Sequence, residues 1–144
     1  MTISFIDSFT QTIDPKGRIV LPTVYREHFA AGAVISLRKD HLAIYPTEDW
    51  KRFLERLRDQ RDTIDEHGRT RIPQGVVGEI TRNSTEVKPD SQGRMLLKPA
   101  LREALGLKNK VLICGGDTYV SVFDNETPRE VDFSVYDFLE RVGL

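Results

Sequence analysis

The sequence has little of what marks several common protein classes. Its 144 residues include one cysteine, Cys114, which excludes an internal disulfide bond and is predicted to be buried within the apolar run 111–114. The three histidines are scattered without the spacing of metal ligands, so no metal site is predicted. No apolar run approaches the ~20 residues of a membrane-spanning helix, and no basic segment followed by an apolar run opens the chain. These absences favour a cytoplasmic protein without a membrane segment or a cofactor.

Signatures of catalysis are also missing. The sequence contains no glycine-rich phosphate loop, no nucleophile elbow and no paired-histidine motif. We therefore expect neither an enzyme nor a small-molecule substrate. The alternative that the residues leave open is an enzyme that handles phosphate through Arg18 and Arg94, because a guanidinium group can hold a phosphate.

An excess of charge of one sign is absent from the chain as a whole, since the formal net charge is −1 at pH 7. The distribution is nevertheless uneven. Residues 1–116 carry 19 Lys and Arg against 15 Asp and Glu, whereas residues 117–144 carry 2 against 7. A weakly basic body binds nucleic acid poorly as one copy, but several copies together can bind through multivalency. The acidic tail is either a solvated end or a segment that repels nucleic acid from one face.

The most informative feature that the sequence does contain is an internal repeat. Residues 14–29 align without a gap on residues 90–105, at an offset of 76. Each copy is one supersecondary unit, and a unit that cannot close its own core must pack on its twin. Six of the 16 aligned positions are identical, namely Asp14/Asp90, Gly17/Gly93, Arg18/Arg94, Leu21/Leu97, Arg26/Arg102 and Glu27/Glu103.

Each copy is predicted to form a turn, a strand, a short helix, a strand, a tight turn and a strand. The apolar runs are short, β-branched and bounded by Gly, Pro and Asp, which favours strands. Residues 34–37 correspond to 111–114, and residues 43–45 to 121–123, with slips of one residue. We predict that the strands interleave into one small barrel. Its predicted core consists of Ile19, Leu21, Val34, Leu37, Ile44, Met95, Leu97, Leu112 and Val122.

The repeated turn begins with an aspartate and passes through a glycine to an arginine. The aspartate can accept backbone hydrogen bonds, and the glycine suits a positive φ. The arginine then projects from a rigid mount and can hold phosphate or bridge O6 and N7 of guanine. Alternatively, the aspartate and arginine pair with each other and only brace the turn. The residues are Asp14, Gly17 and Arg18 in the first copy and Asp90, Gly93 and Arg94 in the second.

The two turns resemble the paired Asp-x-x-x-Arg signatures of the MraZ family of bacterial transcriptional regulators. Residues 14–22 and 90–99 carry the resemblance, supported by residues 12–13, by Tyr45 and Pro46 followed by Trp50, and by residues 84–87. The similarity covers roughly residues 5–125. It implies a mainly β fold with short helices (α+β), in which a pseudo-twofold pair of AbrB-like swapped-hairpin units forms a small double-split β-barrel.

The resemblance also implies a function. It suggests sequence-specific binding to double-stranded DNA at direct repeats in the promoter of a division and cell-wall gene cluster, including the protein's own promoter. Ring-shaped homo-oligomers and a nucleoid-associated, cytoplasmic location follow from the same resemblance. By position, Arg18 and Arg94 match the family's DNA-contacting arginines and Asp14 and Asp90 its turn aspartates. We expect Lys16 and Gln92 to lie beside the arginines on the DNA, and Gly17 and Gly93 to support the turns.

The predicted organisation has four parts. Residues 1–63 form the first unit with a connecting helix, whose apolar stripe repeats at Trp50, Phe53, Leu54 and Leu57. Residues 64–85 form a linker with a possible second helix, residues 86–125 the second unit, and residues 126–144 an acidic tail with a short amphipathic helix at 134–141. Two other functions stay open: an AbrB-like antitoxin or interaction module that neutralises a protein partner, and a purely structural ring component. Two units and a short tail argue against the antitoxin, because antitoxins of this group usually carry one unit and a disordered tail that wraps the toxin.

Overall fold

The structure is a computed structural model that describes residues 4–126 and 130–144. A short 3-10 helix (Glu27–Phe29) follows the first α-helix. Among the helices in the described ranges, none has the length and apolar character needed to cross a bilayer. The strands are β1 (Ser8–Thr12), β2 (Arg18–Val20), β3 (Ala33–Leu37), β4 (Leu42–Pro46), β5 (Ser84–Val87), β6 (Arg94–Leu96), β7 (Lys110–Gly115) and β8 (Val120–Asp124); the helices are α1 (Thr23–Arg26), α2 (Thr47–Asp62), α3 (Val76–Arg82), α4 (Pro99–Leu105) and α5 (Ser134–Arg141).

Six strands form one antiparallel sheet in the order β1-β7-β8-β4-β3-β5, and β2 and β6 form a separate two-stranded ribbon. The copies exchange strands, since β1 of the first copy pairs with β7 of the second and β5 of the second pairs with β3 of the first. This confirms a mainly β fold with short helices. No pairing joins β1 to β5 within the described residues, so the strands do not form the closed barrel that the prediction implied.

A pseudo-twofold axis relates the two copies. Ile19 faces Met95 at the centre of the ribbon, at the offset of 76 found in the sequence. Ala43 faces Ser121 at the centre of the β4–β8 pair, which sets an offset of 78. The same offset of 78 superposes the β3–β4 register on the β7–β8 register, because Ile35 faces Ile44 and Ile113 faces Val122. The predicted match of residues 34–37 with 111–114 is therefore wrong by one residue.

The main core lies between the sheet and the ribbon. Most of the predicted members belong to it, including Ile19, Leu21, Ile44, Met95 and Val122, which are fully buried. Val34 belongs instead to a second cluster on the other face of the sheet. Leu112 is only half-buried, and Ile113 takes the core position instead. A register that is wrong by one residue assigns every β7 side chain to the opposite face of the sheet. Cys114 is likewise half-buried rather than buried. Leu37 packs at the edge of the main core.

The second cluster lies where α2 and α3 cover β3 and β4. We call this side of the sheet, opposite the main core, the outer face. Val34 and Tyr45 of the outer face are buried under Trp50 of α2, with Phe53 packed against them. The apolar stripe of α2 is thus a packing surface, as an i, i+3, i+4, i+7 pattern predicts.

Candidate nucleic-acid interface

The two repeated turns have the same backbone geometry. In the first turn, the amide of Gly17 donates to the carbonyl oxygen of Asp14 at 2.9 Å, and the amide of Asp14 donates to Arg18 at 2.9 Å. In the second turn the corresponding distances, for residues 90–94, are 2.9 Å and 3.0 Å. The turn glycines have φ values of +81° and +77°, a left-handed conformation that a residue with a Cβ adopts only under strain.

The carboxylate of Asp14 organises the first turn. Its Oδ1 accepts hydrogen bonds from the amides of Lys16 at 2.9 Å and Arg18 at 2.8 Å, and its Oδ2 accepts one from Nε of Arg18 at 2.8 Å. The amide of Arg18, followed by that residue's side chain, lowers the pKa of Asp14 below its ordinary value of 3.8. The carboxylate therefore stays charged in the folded protein at neutral pH.

Asp90 has the same partners in the second turn. Its Oδ1 accepts from the amides of Gln92 and Arg94, each at 2.9 Å, and its Oδ2 accepts from Nε of Arg94 at 2.6 Å. The amide of Arg94 is again the largest cause that lowers the pKa of this aspartate. Both copies thus contain the aspartate–arginine pair that the bracing alternative requires.

The pairing leaves one end of each guanidinium group open. Only Nε of Arg18 and Arg94 bonds to the aspartate, and within the described part of the chain neither arginine's Nη atoms have a hydrogen-bond partner. The two arginine side chains keep 26% and 36% of their surface exposed. They are therefore less exposed than a free turn arginine, but their terminal nitrogens are presented by a fixed mount. Lys16 and Gln92 lie exposed at the tips of the turns.

The ribbon places both arginines on one face. Ile19 and Met95 point into the core, so the residues on either side of them point outward by strand alternation. Arg18 faces Leu96 and Arg94 faces Val20 across the ribbon. The outward face therefore carries two arginines at diagonal positions related by the pseudo-twofold axis.

Two further arginines, whose role sequence reasoning missed, lock the two turns together. Arg26 lies against the glycine of the second turn and donates from Nε to the carbonyl oxygen of Leu21 at 2.9 Å. Arg102 lies against the glycine of the first turn and donates to Leu97 at 2.9 Å. The signal was available, because Arg26 and Arg102 are identical positions of the repeat.

The side chain of Gln11 holds the ribbon onto the sheet. Its Oε1 accepts from the amide of Val20 at 2.8 Å, and its Nε2 donates to the carbonyl oxygen of the same residue. The interface is therefore built on packed strands. Among the described residues, no group of three or more His, Cys, Asp or Glu is arranged to hold a metal ion.

Comparisons with known proteins match this chain to one family. A family model described as "MraZ protein, putative antitoxin-like" matches residues 5–72 and 80–128. A protein of Thermomicrobium roseum named "Transcriptional regulator MraZ" is 32% identical over 123 residues, which are 85% of this chain and 82% of that protein. A protein of the same name from Corynebacterium urealyticum is 31% identical over 140 residues, which are 92% of this chain and 94% of that protein. Another from Corynebacterium diphtheriae is 30% identical over 121 residues, which are 83% of this chain and 80% of that protein.

Proposed function

This chain belongs to the MraZ family, and we propose that it is a transcriptional regulator that binds double-stranded DNA through Arg18 and Arg94. Lys16 and Gln92 lie beside the arginines and contact the same DNA. The sites are direct repeats in the promoter of a division and cell-wall gene cluster that includes the protein's own promoter. The protein acts in the cytoplasm, associated with the nucleoid, as a ring-shaped homo-oligomer.

The observation that carries the proposal is the pair of arginines on the outward face of the ribbon. A two-stranded antiparallel ribbon fits the major groove of B-form DNA, where arginine reads guanine through O6 and N7. Each arginine is held at Nε by an aspartate, and its two Nη atoms have no hydrogen-bond partner among the described residues. Bracing and recognition are therefore compatible, because the brace uses one edge of the guanidinium group and DNA uses another.

The exchange of strands between the two repeat units supports a swapped-hairpin arrangement. The two copies act as swapped-hairpin units, residues 1–63 and 86–125, that share one split barrel around the pseudo-twofold axis. Residues 64–85 connect them, and residues 126–144 form the acidic tail. The turn aspartates and glycines of both units serve to aim the arginines.

A second candidate function is neutralisation of a protein partner, which the antitoxin-like wording of the family description suggests. The layout of the chain favours DNA, because two units present two arginine turns. A protein partner that competes with DNA for the outward face of the ribbon would support the second candidate.

Titration of labelled promoter DNA tests the proposal. The variants are Arg18→Ala, Arg94→Ala and the double variant, and the control is Arg58→Ala on the exposed side of α2. If each arginine reads a base, each single loss costs about 1–3 kcal/mol and relaxes specificity at one position. If an arginine only holds phosphate, binding weakens on all sequences and the salt dependence flattens by about one unit.

Folding must be intact for this test to count. Circular dichroism and light scattering on each variant check that the arginine changes leave the fold and the assembly unaltered. Wild-type affinity of the folded double variant for promoter DNA would refute the assignment and leave the arginines as braces of the turns.

A further inference from the structure

The repeat continues into the helices, beyond the strands. Four consecutive residues of α2 recur in α5 in the same order, and each helix follows the last strand of its copy. The family match ends at residue 128, so α5 lies outside it. The recurring residues are Phe53, Leu54, Glu55 and Arg56 in α2 and Phe138, Leu139, Glu140 and Arg141 in α5.

The two helices also share an apolar stripe with the same spacing. In α2 the stripe runs through Trp50, Phe53, Leu54 and Leu57; in α5 it runs through Val135, Phe138 and Leu139 and continues to Val142, which directly follows the helix. The stripe of α2 covers the outer face of β3 and β4, where the rings of Phe53 and Tyr45 are 5.2 Å apart. All eight residues of α5 are exposed. The equivalent stripe is therefore uncovered in a single copy.

The sheet has a second surface that corresponds to the one beneath α2, and no described helix covers it in the same way. By the offset of 78, the outer-face residues Val34 and Tyr45 correspond to Leu112 and Phe123, which face each other in the β7–β8 register. Leu112 and Phe123 are half-buried, whereas Val34 and Tyr45 are buried. Among the contacts between described elements, no helix packs on the β7–β8 pair as α2 packs on β3 and β4.

The aromatic layer under α2 continues onto this surface. The ring of Tyr45 lies 5.1 Å from that of Tyr119, Tyr119 lies 6.3 Å from His41, and His41 lies 5.0 Å from Phe123. The outer face of β7 and β8 is thus the extension of an apolar layer that a helix already covers at its other end.

We propose that α5 of one protein molecule packs on the outer face of β7 and β8 of a second molecule, as α2 packs on β3 and β4 within each molecule. This rests on the proposed self-assembly and names the contact that produces it. A helix of eight residues is marginal without packing, so α5 needs a partner surface. Each molecule carries the helix and the surface at separate places, so the contact is head-to-tail. A head-to-tail contact closes into a ring when the rotation between neighbouring molecules brings the last one back to the first.

The connection and the charges fit a second copy. The helices are offset by 85 residues, whereas the strands are offset by 78, so the shared four residues lie seven residues further from the last strand in α5 than in α2. Its polar side carries Asp137 and Glu140, while Lys110 lies on β7 in line with Leu112. The acidic tail, residues 126–144, has 2 basic residues against 5 acidic ones and therefore meets a body, residues 1–116, with 19 against 15.

Light scattering with size-exclusion chromatography tests the contact. Phe138→Asp puts a charge on the stripe, and Ser134→Asp puts the same charge on the polar side as a matched control. We expect Phe138→Asp to lower the mass of the assembly and Ser134→Asp to leave it unchanged. Because α5 buries none of its residues in one copy, the fluorescence of Trp50 should be the same in both variants.

The outcomes separate the two proposals. An unchanged mass for Phe138→Asp overturns the α5 contact and leaves self-assembly and DNA binding in place. A wild-type protein that is monomeric at micromolar concentration overturns both the contact and self-assembly, whereas the DNA titration stands or fails independently.

Engineered cysteines show whether the contact joins two copies. In a Cys114→Ser background, one protein carries Leu112→Cys and a second carries Leu139→Cys. Refolding the two together under oxidising conditions should yield a disulfide-linked dimer of about twice 16.5 kDa that neither protein forms as readily alone. A chain with both changes that closes only an internal disulfide would overturn the proposal in favour of docking within one copy.

Discussion

Replacing Gly93 with alanine tests the contact between Arg26 and the second turn. Gly93 has φ of +77° and is buried beneath Arg26 of the other copy. A Cβ at this position would overlap Nε of Arg26 and lie 2.9 Å from its Cδ. Arg26 would have to move and give up the 2.9 Å hydrogen bond from Nε to the carbonyl oxygen of Leu21.

The expected cost has two parts. A left-handed conformation costs an alanine about 1–2 kcal/mol. Loss of the Arg26 hydrogen bond adds roughly 0.5–1.5 kcal/mol. Gly93→Ala should therefore lower the free energy of unfolding by about 1.5–3.5 kcal/mol.

Gly106→Ala is the matched control. Gly106 also has a positive φ, +66°, but a Cβ there meets nothing within 4 Å. The control should show the conformational cost alone, so the two variants should differ by roughly 0.5–1.5 kcal/mol. Gly17→Ala should fall between them, because its Cβ would meet Nη2 of Arg102, the flexible end of that side chain, at 2.8 Å.

Urea unfolding measures these costs through the fluorescence of Trp50, the single tryptophan, which is only 9% exposed. All variants are compared at one protein concentration, because self-assembly makes apparent stability concentration-dependent. Adding Arg26→Ala should remove the excess cost of Gly93→Ala, which a double-mutant cycle reports as coupling. Equal losses for Gly93→Ala and Gly106→Ala would refute the reasoning.

Two further predictions follow from the turns and the core. The folded pKa values of Asp14 and Asp90 are lowered, so their contribution to stability is complete above the ordinary value of 3.8 and is lost as pH falls through the lower folded values. Urea midpoints should therefore fall in acid, and the Asp14→Asn, Asp90→Asn double variant should show a flatter decline; parallel declines would contradict this. Ile19→Ala, at a fully buried position, should cost about 2–5 kcal/mol in the same urea assay, and a loss below 1 kcal/mol would place Ile19 outside the core.

The sequence predicts the repeated turns well because their chemistry is local. An aspartate, a glycine and an arginine within five residues determine the hydrogen bonds of each turn, and an offset of 76 holds across β2 and β6. The contacts between the turns are not local. Arg26 and Gly93 are distant in the sequence, so only the pairing of β2 with β6 shows that they touch.

The predicted match of β3 with β7 was wrong by one residue for a different reason. The connection that precedes β7 is two residues longer than the one that precedes β3, and apolar residues occupy three successive positions, 111–113. A strand with apolar residues on both faces does not reveal its register, because alternation is lost. The pairing of Ile113 with Val122 settles which residues enter the core.

The two halves of the ribbon are similar without being identical, and this difference bears on how the protein would lie on DNA. The arginines are related by the pseudo-twofold axis, so a fully symmetric ribbon would read a symmetric site equally well in either direction. The turn tips break that symmetry, because Lys16 is charged and its counterpart Gln92 is neutral. On the proposed DNA interface, one protein molecule would therefore have a preferred direction along the duplex. The direct repeats proposed as binding sites would require several molecules to point the same way, and the proposed head-to-tail contact through α5 would keep that direction from one molecule to the next.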